Sequence, residues 1–174
     1  MGRFRRNTKG KNILITCGSM GCGPIKKLVE ILSEKIDSNT YLTVICGSNK
    51  RLYNSLNNLE IKDNIIIVGY TKKMSAYMDS ADIILTKPGG LSSTEAAAKA
   101  LPMVLINAVP GCETRNLEFF VSNGFAEHGD SLEALTELVY NNVNDSKWLL
   151  NKSEKVKQEF SECAADIIRD YVLK

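Results

Sequence analysis

The glycine-rich segment GSMGCG at residues 18–23 is the first place where residue types and spacing suggest ligand chemistry. It follows an apolar run and stands directly before a helical pattern that begins at Pro24. Glycines let a backbone come close to a ligand, and the free N–H groups at a helix N-terminus attract anions. The segment therefore favours a phosphate cradle around Gly18 and Gly21, although a plain strand-to-helix turn would explain part of it.

Two common phosphate sites do not fit this segment. A Walker A loop has Lys and then Ser or Thr after its last glycine, whereas this chain has Pro24 and Ile25. A dinucleotide fold has the spacing G-x-G-x-x-G and an acidic residue after its second strand. Here the spacing is G-x-x-G-x-G, and the second predicted strand is followed by GSN at 47–49. The sequence therefore argues against both a Walker A site and an NAD site.

The segment TKPGGLSSTE at residues 86–95 is the second place where ligand chemistry is expected. Pro-Gly-Gly favours a tight turn, and the hydroxyl and N–H groups of Ser92 and Ser93 suit a phosphate. Glu95 has two interpretations. Spacing alone favours an S-x-x-E capping box with Ser92. Alternatively, the Glu95 carboxylate accepts hydrogen bonds from the 2′- and 3′-hydroxyls of a ribose.

A third segment, VPGCETRN at residues 109–116, leads into another helical pattern. Helix capping explains Glu113 at its start, and Arg115 and Asn116 could equally face solvent. On its own this segment is weak evidence for a ligand site.

The three segments lie between short apolar runs and helical patterns that alternate along the chain. The runs that predict strands are 12–17, 41–46, 64–69, 82–86, 103–107 and a weaker one near 125–126. The patterns that predict helices are 24–37, 50–57, 72–79, 92–100, 114–122, 131–142 and a long final helix at about 145–172. Because the strand runs are almost entirely apolar, they predict a parallel sheet that is buried on both faces.

The sequence therefore predicts an α/β domain with a Rossmann-like, doubly wound parallel sheet of about six strands at residues 11–174. Residues 1–10, with a cluster of three arginines, are interpreted as the remnant of a linker. In an open parallel sheet, ligands bind at the carboxyl ends of the strands, where the three segments are expected to lie.

Composition narrows the classes of function. The chain has 174 residues, with 22 Lys and Arg against 20 Asp and Glu, so nucleic acid is not expected as a partner. Five cysteines without a C-x-x-C pair favour free thiols in a reducing compartment, and no metal site is expected. No apolar stretch approaches the roughly 20 residues that span a bilayer, and no signal peptide is recognisable, so a cytoplasmic domain is expected. The single histidine, His128, is predicted in a loop away from the strand ends.

The segment TKPGGLSSTEAAAKALPMVLINAVPGCETRN (86–116) resembles the donor-site block of the monogalactosyldiacylglycerol synthase-like glycosyltransferases. These enzymes belong with the MurG-type enzymes in glycosyltransferase family 28. Further matches are CGSMGCGP (17–24), VICGSN (44–49) and IIIVGYTKKMSAYMDSADIILTKPGG (65–90), and the resemblance spans roughly residues 10–170.

The resemblance implies a GT-B fold, in which two Rossmann-like domains enclose a cleft and the C-terminal domain holds the UDP-sugar. This chain resembles the C-terminal domain alone. The UDP contacts that the resemblance implies are Gly18, Gly21, Val68, Gly69, Tyr70, Gly89, Gly90, Leu91, Ser92, Ser93 and Glu95. The implied sugar contacts are Gly111, Cys112, Glu113 and Asn116. Glu95 would hold the ribose, and residues 68–70 would contact the uracil.

Two residues depart from the family pattern, Cys112 and Ala100 (where glycine is common), and the first of them bears on the sugar. The family usually has glutamine where this chain has Cys112, and a thiol is a poor hydrogen-bonding partner for sugar hydroxyls, so the identity of the sugar is left open.

The resemblance implies inverting transfer of a hexose from a UDP-sugar to a lipid acceptor such as diacylglycerol, without a metal or other cofactor. The general base is expected in the missing N-terminal domain, which would also provide any contact with the cytoplasmic membrane face. Two alternatives remain: the stand-alone donor subunit of a split UDP-GlcNAc transferase, and a non-catalytic or epimerase-like UDP-sugar-binding module.

Overall fold

Strands and helices alternate through the described part of the chain. A computed structural model describes residues 10–16, 18, 20, 23–60, 62–106, 111–160 and 164–173. The strands are β1 (Lys11–Thr16), β2 (Thr40–Ile45), β3 (Ile65–Val68), β4 (Ile83–Thr86), β5 (Met103–Leu105) and β6 (Ala126–His128). The helices are α1 (Ile25–Lys35), α2 (Lys50–Asn57), α3 (Met74–Ser80), α4 (Gly90–Ala98), α5 (Cys112–Ser122), α6 (Leu132–Asn144), α7 (Ser146–Glu159) and α8 (Ala164–Val172).

The six strands form one parallel sheet in the order β3-β2-β1-β4-β5-β6. β1 pairs with β2 on one side and with β4 on the other. The chain runs outward from β1 to β3 and then returns to the other side of β1, so the strand order reverses between β1 and β4. Doubly wound folds bind ligands at such a point, beyond the carboxyl ends of the strands. The predicted fold class is confirmed.

Successive strand residues contribute to two apolar cores, one on each face of the sheet. Ile13 and Ile15 belong to one core, together with Leu28 of α1. Leu14 belongs to the other core, together with Ala96 of α4. Burial on both faces is the reason that the strand runs are apolar throughout.

The prediction of one long helix at 145–172 is wrong, because α7 ends at Glu159 and α8 begins at Ala164. Phe160 has φ −103° and ψ 29°, outside helical geometry. Its ring packs against Phe120 and Phe125, with ring centroids 6.0 Å and 5.4 Å away. None of the described helices is long and apolar enough to cross a membrane.

Candidate functional site

The last residues of the six strands form one row of register partners. Across the sheet the row is Val68, Ile45, Thr16, Thr86, Leu105 and His128. The two central members, Thr16 and Thr86, are the ends of β1 and β4, between which the strand order reverses. The segments that follow these two strands are therefore the ones that the fold brings to the expected ligand position.

Helix α4 begins at Gly90, two residues earlier than predicted, with Gly89 as its N-cap. No side chain caps the helix. The Ser93 hydroxyl donates to the Gly89 carbonyl at 2.5 Å, and the Thr94 hydroxyl donates to the Gly90 carbonyl at 2.6 Å. The capping box that spacing favoured for Ser92 is therefore wrong, because the helix has already started at that position. The first amides of α4 have no acceptor within the helix and point towards the carboxyl edge of the sheet.

Glu95 lies in the second turn of α4 and is exposed. None of the described residues forms a hydrogen bond or ion pair with its carboxylate. Leu91, four residues earlier, is 80% exposed and shares a helix face with Glu95. Because Glu95 takes no part in a capping box, its side chain is available to a ligand that lies against the start of α4.

Lys87 is a candidate residue that the sequence interpretation missed. It lies between the end of β4 and the start of α4, and its side chain is partly buried. The other partly buried lysines of the described ranges have polar partners: Lys11 with Ser146, Lys35 with Glu137, Lys99 with Asp79 and Lys152 with Glu127. Lys87 has no such partner among the described residues. Its position between a strand end and a helix start was the signal that could have identified it.

Asn116, a predicted sugar contact, has a structural partner. Its side-chain amide donates to the backbone carbonyl of Pro88 at 2.9 Å. This hydrogen bond joins α5 to the turn that leads into α4, so Asn116 helps to position the turn that carries Lys87 and Gly89.

The predicted uracil contacts follow β3 at the same edge. The Val68 carbonyl accepts a hydrogen bond from the Cys46 amide at 2.8 Å, so the sheet already uses it. Gly69 is partly buried, and Tyr70 is 67% exposed. The contacts of residues 68–70 with a base stay a prediction.

Two other predicted contacts are glycines with positive φ. Gly18 has φ 74°, and Gly111, the N-cap of α5, has φ 115°. Residues with a side chain rarely adopt such angles, so these glycines fit the turns after β1 and before α5. Glu113 lies in the first turn of α5 and is partly buried. Gly21 and the Cys112 side chain lie outside what the structure describes.

The prediction that His128 lies in a loop away from the strand ends is wrong. His128 is the last residue of β6, at the outer end of the row. Its Nδ1 lies 2.8 Å from the Leu105 carbonyl, and its Nε2 lies 3.6 Å from an Asp130 carboxylate oxygen. The weak strand predicted near 125–126 is the start of β6, but its last two residues, Glu127 and His128, are polar and do not extend the apolar pattern. His128 stands two strands away from β4, at the edge of the sheet.

The opposite, amino edge of the sheet carries a shallow cavity of about 470 Å³. Its lining residues are Ile36, Asp37, Ser38, Tyr41, Lys62, Asp63 and Asn64. None of the predicted site residues lines this cavity. Across the described ranges, no cluster of three or more His, Cys, Asp or Glu residues could hold a metal ion.

Residues 12–168 match the family model of the glycosyltransferase family 28 C-terminal domain. The chain belongs to this family. This family 28 domain is 32% identical over 161 residues to the processive diacylglycerol beta-glucosyltransferase of Staphylococcus aureus strain Newman. That alignment covers 91% of this chain and 41% of the relative, so the chain spans about two fifths of that enzyme's length.

Solved structures confirm the fold of the family 28 domain. MurG of Acinetobacter baumannii matches with a TM-score of 0.80 at 20% identity, over 99% of this chain and 53% of that chain. The Streptomyces sp. SF2575 glycosyltransferase SsfS6, complexed with thymidine diphosphate, matches with a TM-score of 0.65 at 15% identity. That match covers 99% of this chain and 43% of SsfS6. The Rossmann-like half of a GT-B glycosyltransferase is therefore the fold of this chain.

Proposed function

We propose that this family 28 domain binds a UDP-sugar at the carboxyl edge of its sheet. Together with an acceptor-binding half, it would transfer a hexose to a lipid acceptor such as diacylglycerol. The observation that carries the proposal is Glu95, an exposed carboxylate without a described partner in the second turn of α4. A ribose diol is a ligand that such a carboxylate suits, because it can accept hydrogen bonds from both hydroxyls.

The start of α4 supports placement of the diphosphate beside the ribose. The first amides of the helix have no acceptor within it, and the helix dipole favours negative charge there. The Lys87 ammonium, partly buried and without a described partner, adds a positive charge just before this helix. The same short segment thus offers amides and a cation for the diphosphate and a carboxylate for the ribose.

The segments on either side of α4 accommodate the two ends of the donor in this proposal. Gly69 and Tyr70, beyond β3, would contact the uracil, with the exposed Tyr70 ring as an apolar surface. The first turn of α5, with Glu113, would face the hexose. The relative in Staphylococcus aureus is named as a glucosyltransferase, so we propose UDP-glucose as the first donor to test.

The proposed reaction is an inverting displacement at the anomeric carbon. An acceptor hydroxyl forms the new bond to this carbon while the bond from the carbon to the diphosphate oxygen breaks. The hydroxyl proton passes to a base, which we expect in the acceptor-binding half. Negative charge that develops on the leaving diphosphate would be stabilised by the α4 amides, which the helix fixes before the reaction begins, and by the positive charge of Lys87.

Calorimetric titration of the protein with UDP, ADP and UDP-glucose, in the presence of EDTA, tests this proposal. We expect UDP to bind more tightly than ADP, because the base is selected as well as the diphosphate. We also expect binding without a divalent cation, since amides and a lysine neutralise the charge. A folded protein that binds neither UDP nor UDP-glucose would contradict the proposal.

A further inference from the structure

Within the part of the chain that the structure describes, two buried hydroxyls at the centre of the carboxyl edge have no hydrogen-bond partner. Among the described residues, the buried polar side chains are those of Thr16, Thr40, Thr43, Asn64, Thr86, Ser93 and Thr136. Side-chain hydrogen bonds join Thr40 to Asp37, Thr43 to Asn12, Asn64 to the Thr40 carbonyl, Ser93 to the Gly89 carbonyl and Thr136 to the Glu133 carbonyl. The remaining two, Thr16 Oγ1 and Thr86 Oγ1, lack a partner in the described structure.

These two residues are next to each other. Thr16 and Thr86 are register partners and the last residues of β1 and β4. Leu14 and Ile84, two residues earlier, both belong to the core on the α4 face of the sheet. Because strand side chains alternate between faces, both threonine side chains point to that same face.

The described side chains that surround this pair within the sheet are apolar. The neighbours along the row are Ile45 on one side and Leu105 on the other, and both are apolar. Leu14 and Ile84 fill the positions towards the middle of the sheet. Since none of these described neighbours within the sheet offers a polar side chain, the space beyond the strand ends is where a polar ligand group would reach the pair.

The outward direction leads to the groups assigned to the diphosphate. Lys87 follows Thr86 directly, and α4 begins four residues after Thr86. Buried hydroxyls in proteins are normally paired, because an unpaired one loses its hydrogen bonds to water and gains nothing in return. Unpaired hydroxyls at the point where the strand order reverses therefore indicate a ligand group that pairs with them.

We infer that Thr16 and Thr86 are binding residues for the diphosphate of the donor, and that their hydroxyls are hydrogen-bonded only in the donor-bound protein. Each hydroxyl donates to a phosphate oxygen, directly or through one water. Since both oxygens are buried in the free protein, binding requires a small outward adjustment of the strand ends. This inference rests on the proposed function.

Thr86→Val and Thr16→Val test it, because valine keeps the shape of threonine and removes the hydroxyl. For each variant, the thermal midpoint of the free protein and the dissociation constants for UDP and uridine are measured. We expect a thermal midpoint at or above that of wild type, because an unpaired buried group has been removed. UDP should bind about tenfold more weakly, as expected for one lost hydrogen bond to a charged group, and uridine binding should not change. Thr86→Ser should retain the affinity for UDP.

Thr43→Val is the matched control. The Thr43 hydroxyl donates to Asn12 Oδ1 at 3.1 Å, so its loss should lower the thermal midpoint by about 2–4 °C and leave UDP binding unchanged. If Thr86→Val lowers the midpoint like Thr43→Val, or binds UDP as tightly as wild type, the inference is wrong. A wild-type protein that does not bind UDP would instead refute the proposed function, and this inference with it.

Discussion

The side-chain amide of Asn116 donates a hydrogen bond to the backbone carbonyl of Pro88 across 2.9 Å. The two residues belong to different elements, since Asn116 lies on α5 and Pro88 lies in the turn between β4 and α4. The bond fixes the turn that carries Lys87 and Gly89. In the proposed function, Asn116 would therefore act on donor binding indirectly, by holding this turn, and its direct contact with the sugar stays a prediction.

Asn116→Ala should lower both stability and donor affinity. The lost hydrogen bond should reduce the free energy of unfolding by about 0.5–1.5 kcal/mol, and the freed turn should weaken UDP binding. Asn123→Ala is the control, because the Asn123 amide donates to the Phe119 carbonyl of its own helix at 2.8 Å. The control should lose stability without losing affinity. Denaturant unfolding and calorimetry measure the two quantities, and equal UDP affinity in both variants would contradict the positioning role.

Glu95→Gln should weaken UDP binding about tenfold, because a neutral acceptor replaces a charged one on the ribose diol. The thermal midpoint should not change, since Glu95 is exposed and does not cap the helix. Glu118→Gln, at an exposed position of α5, controls for the general loss of a negative charge. In calorimetry, 2′-deoxy-UDP should lose less affinity than UDP on the Glu95 substitution. Equal losses for both ligands would show that the carboxylate does not hold the ribose.

Sequence patterns could predict the fold because burial on both faces of the sheet requires strands that are apolar at nearly every position. Runs such as 12–17 and 82–86 are apolar because the two cores each need every second residue. The parallel sheet then places the ends of β1 and β4 side by side, so the position of the candidate site follows from the strand order alone.

Sequence patterns could not predict contacts that depend on neighbours far along the chain. The predicted start of α4 at residue 92 is two residues late, because the hydroxyls of Ser93 and Thr94 donate to the carbonyls of Gly89 and Gly90 at the helix start. The S-x-x-E spacing of Ser92 and Glu95 therefore does not form a capping box. The lack of a partner for Lys87 among the described residues, and the presence of one for Asn116, depend on residues of other elements. Such relations leave no local periodicity to detect.

Burial raises the pKa of the Cys46 thiol to about 11. A raised pKa in the folded protein means that the neutral thiol is favoured there, so this contribution to stability is complete at low pH. It should be lost as the pH rises from the ordinary thiol value of 9.0 towards about 11. Denaturant unfolding of wild type and Cys46→Ala over this range measures the effect, and the difference in unfolding free energy between them should shrink. A difference that stays constant would show that the folded protein does not shift this thiol.

Lys87→Gln should weaken UDP binding about tenfold while uridine binding stays unchanged, because the lost charge faces the phosphates alone. The difference in UDP affinity between wild type and Lys87→Gln should become smaller as salt is added, since ions screen the attraction between the ammonium and the phosphates. Lys87→Arg should retain most of the affinity. Lys72→Gln is the control, because Lys72 is an exposed cation in the segment after β3. If Lys72→Gln and Lys87→Gln lose equal affinity, the effect is one of net charge, and the partly buried ammonium beside α4 has no specific contact with the diphosphate.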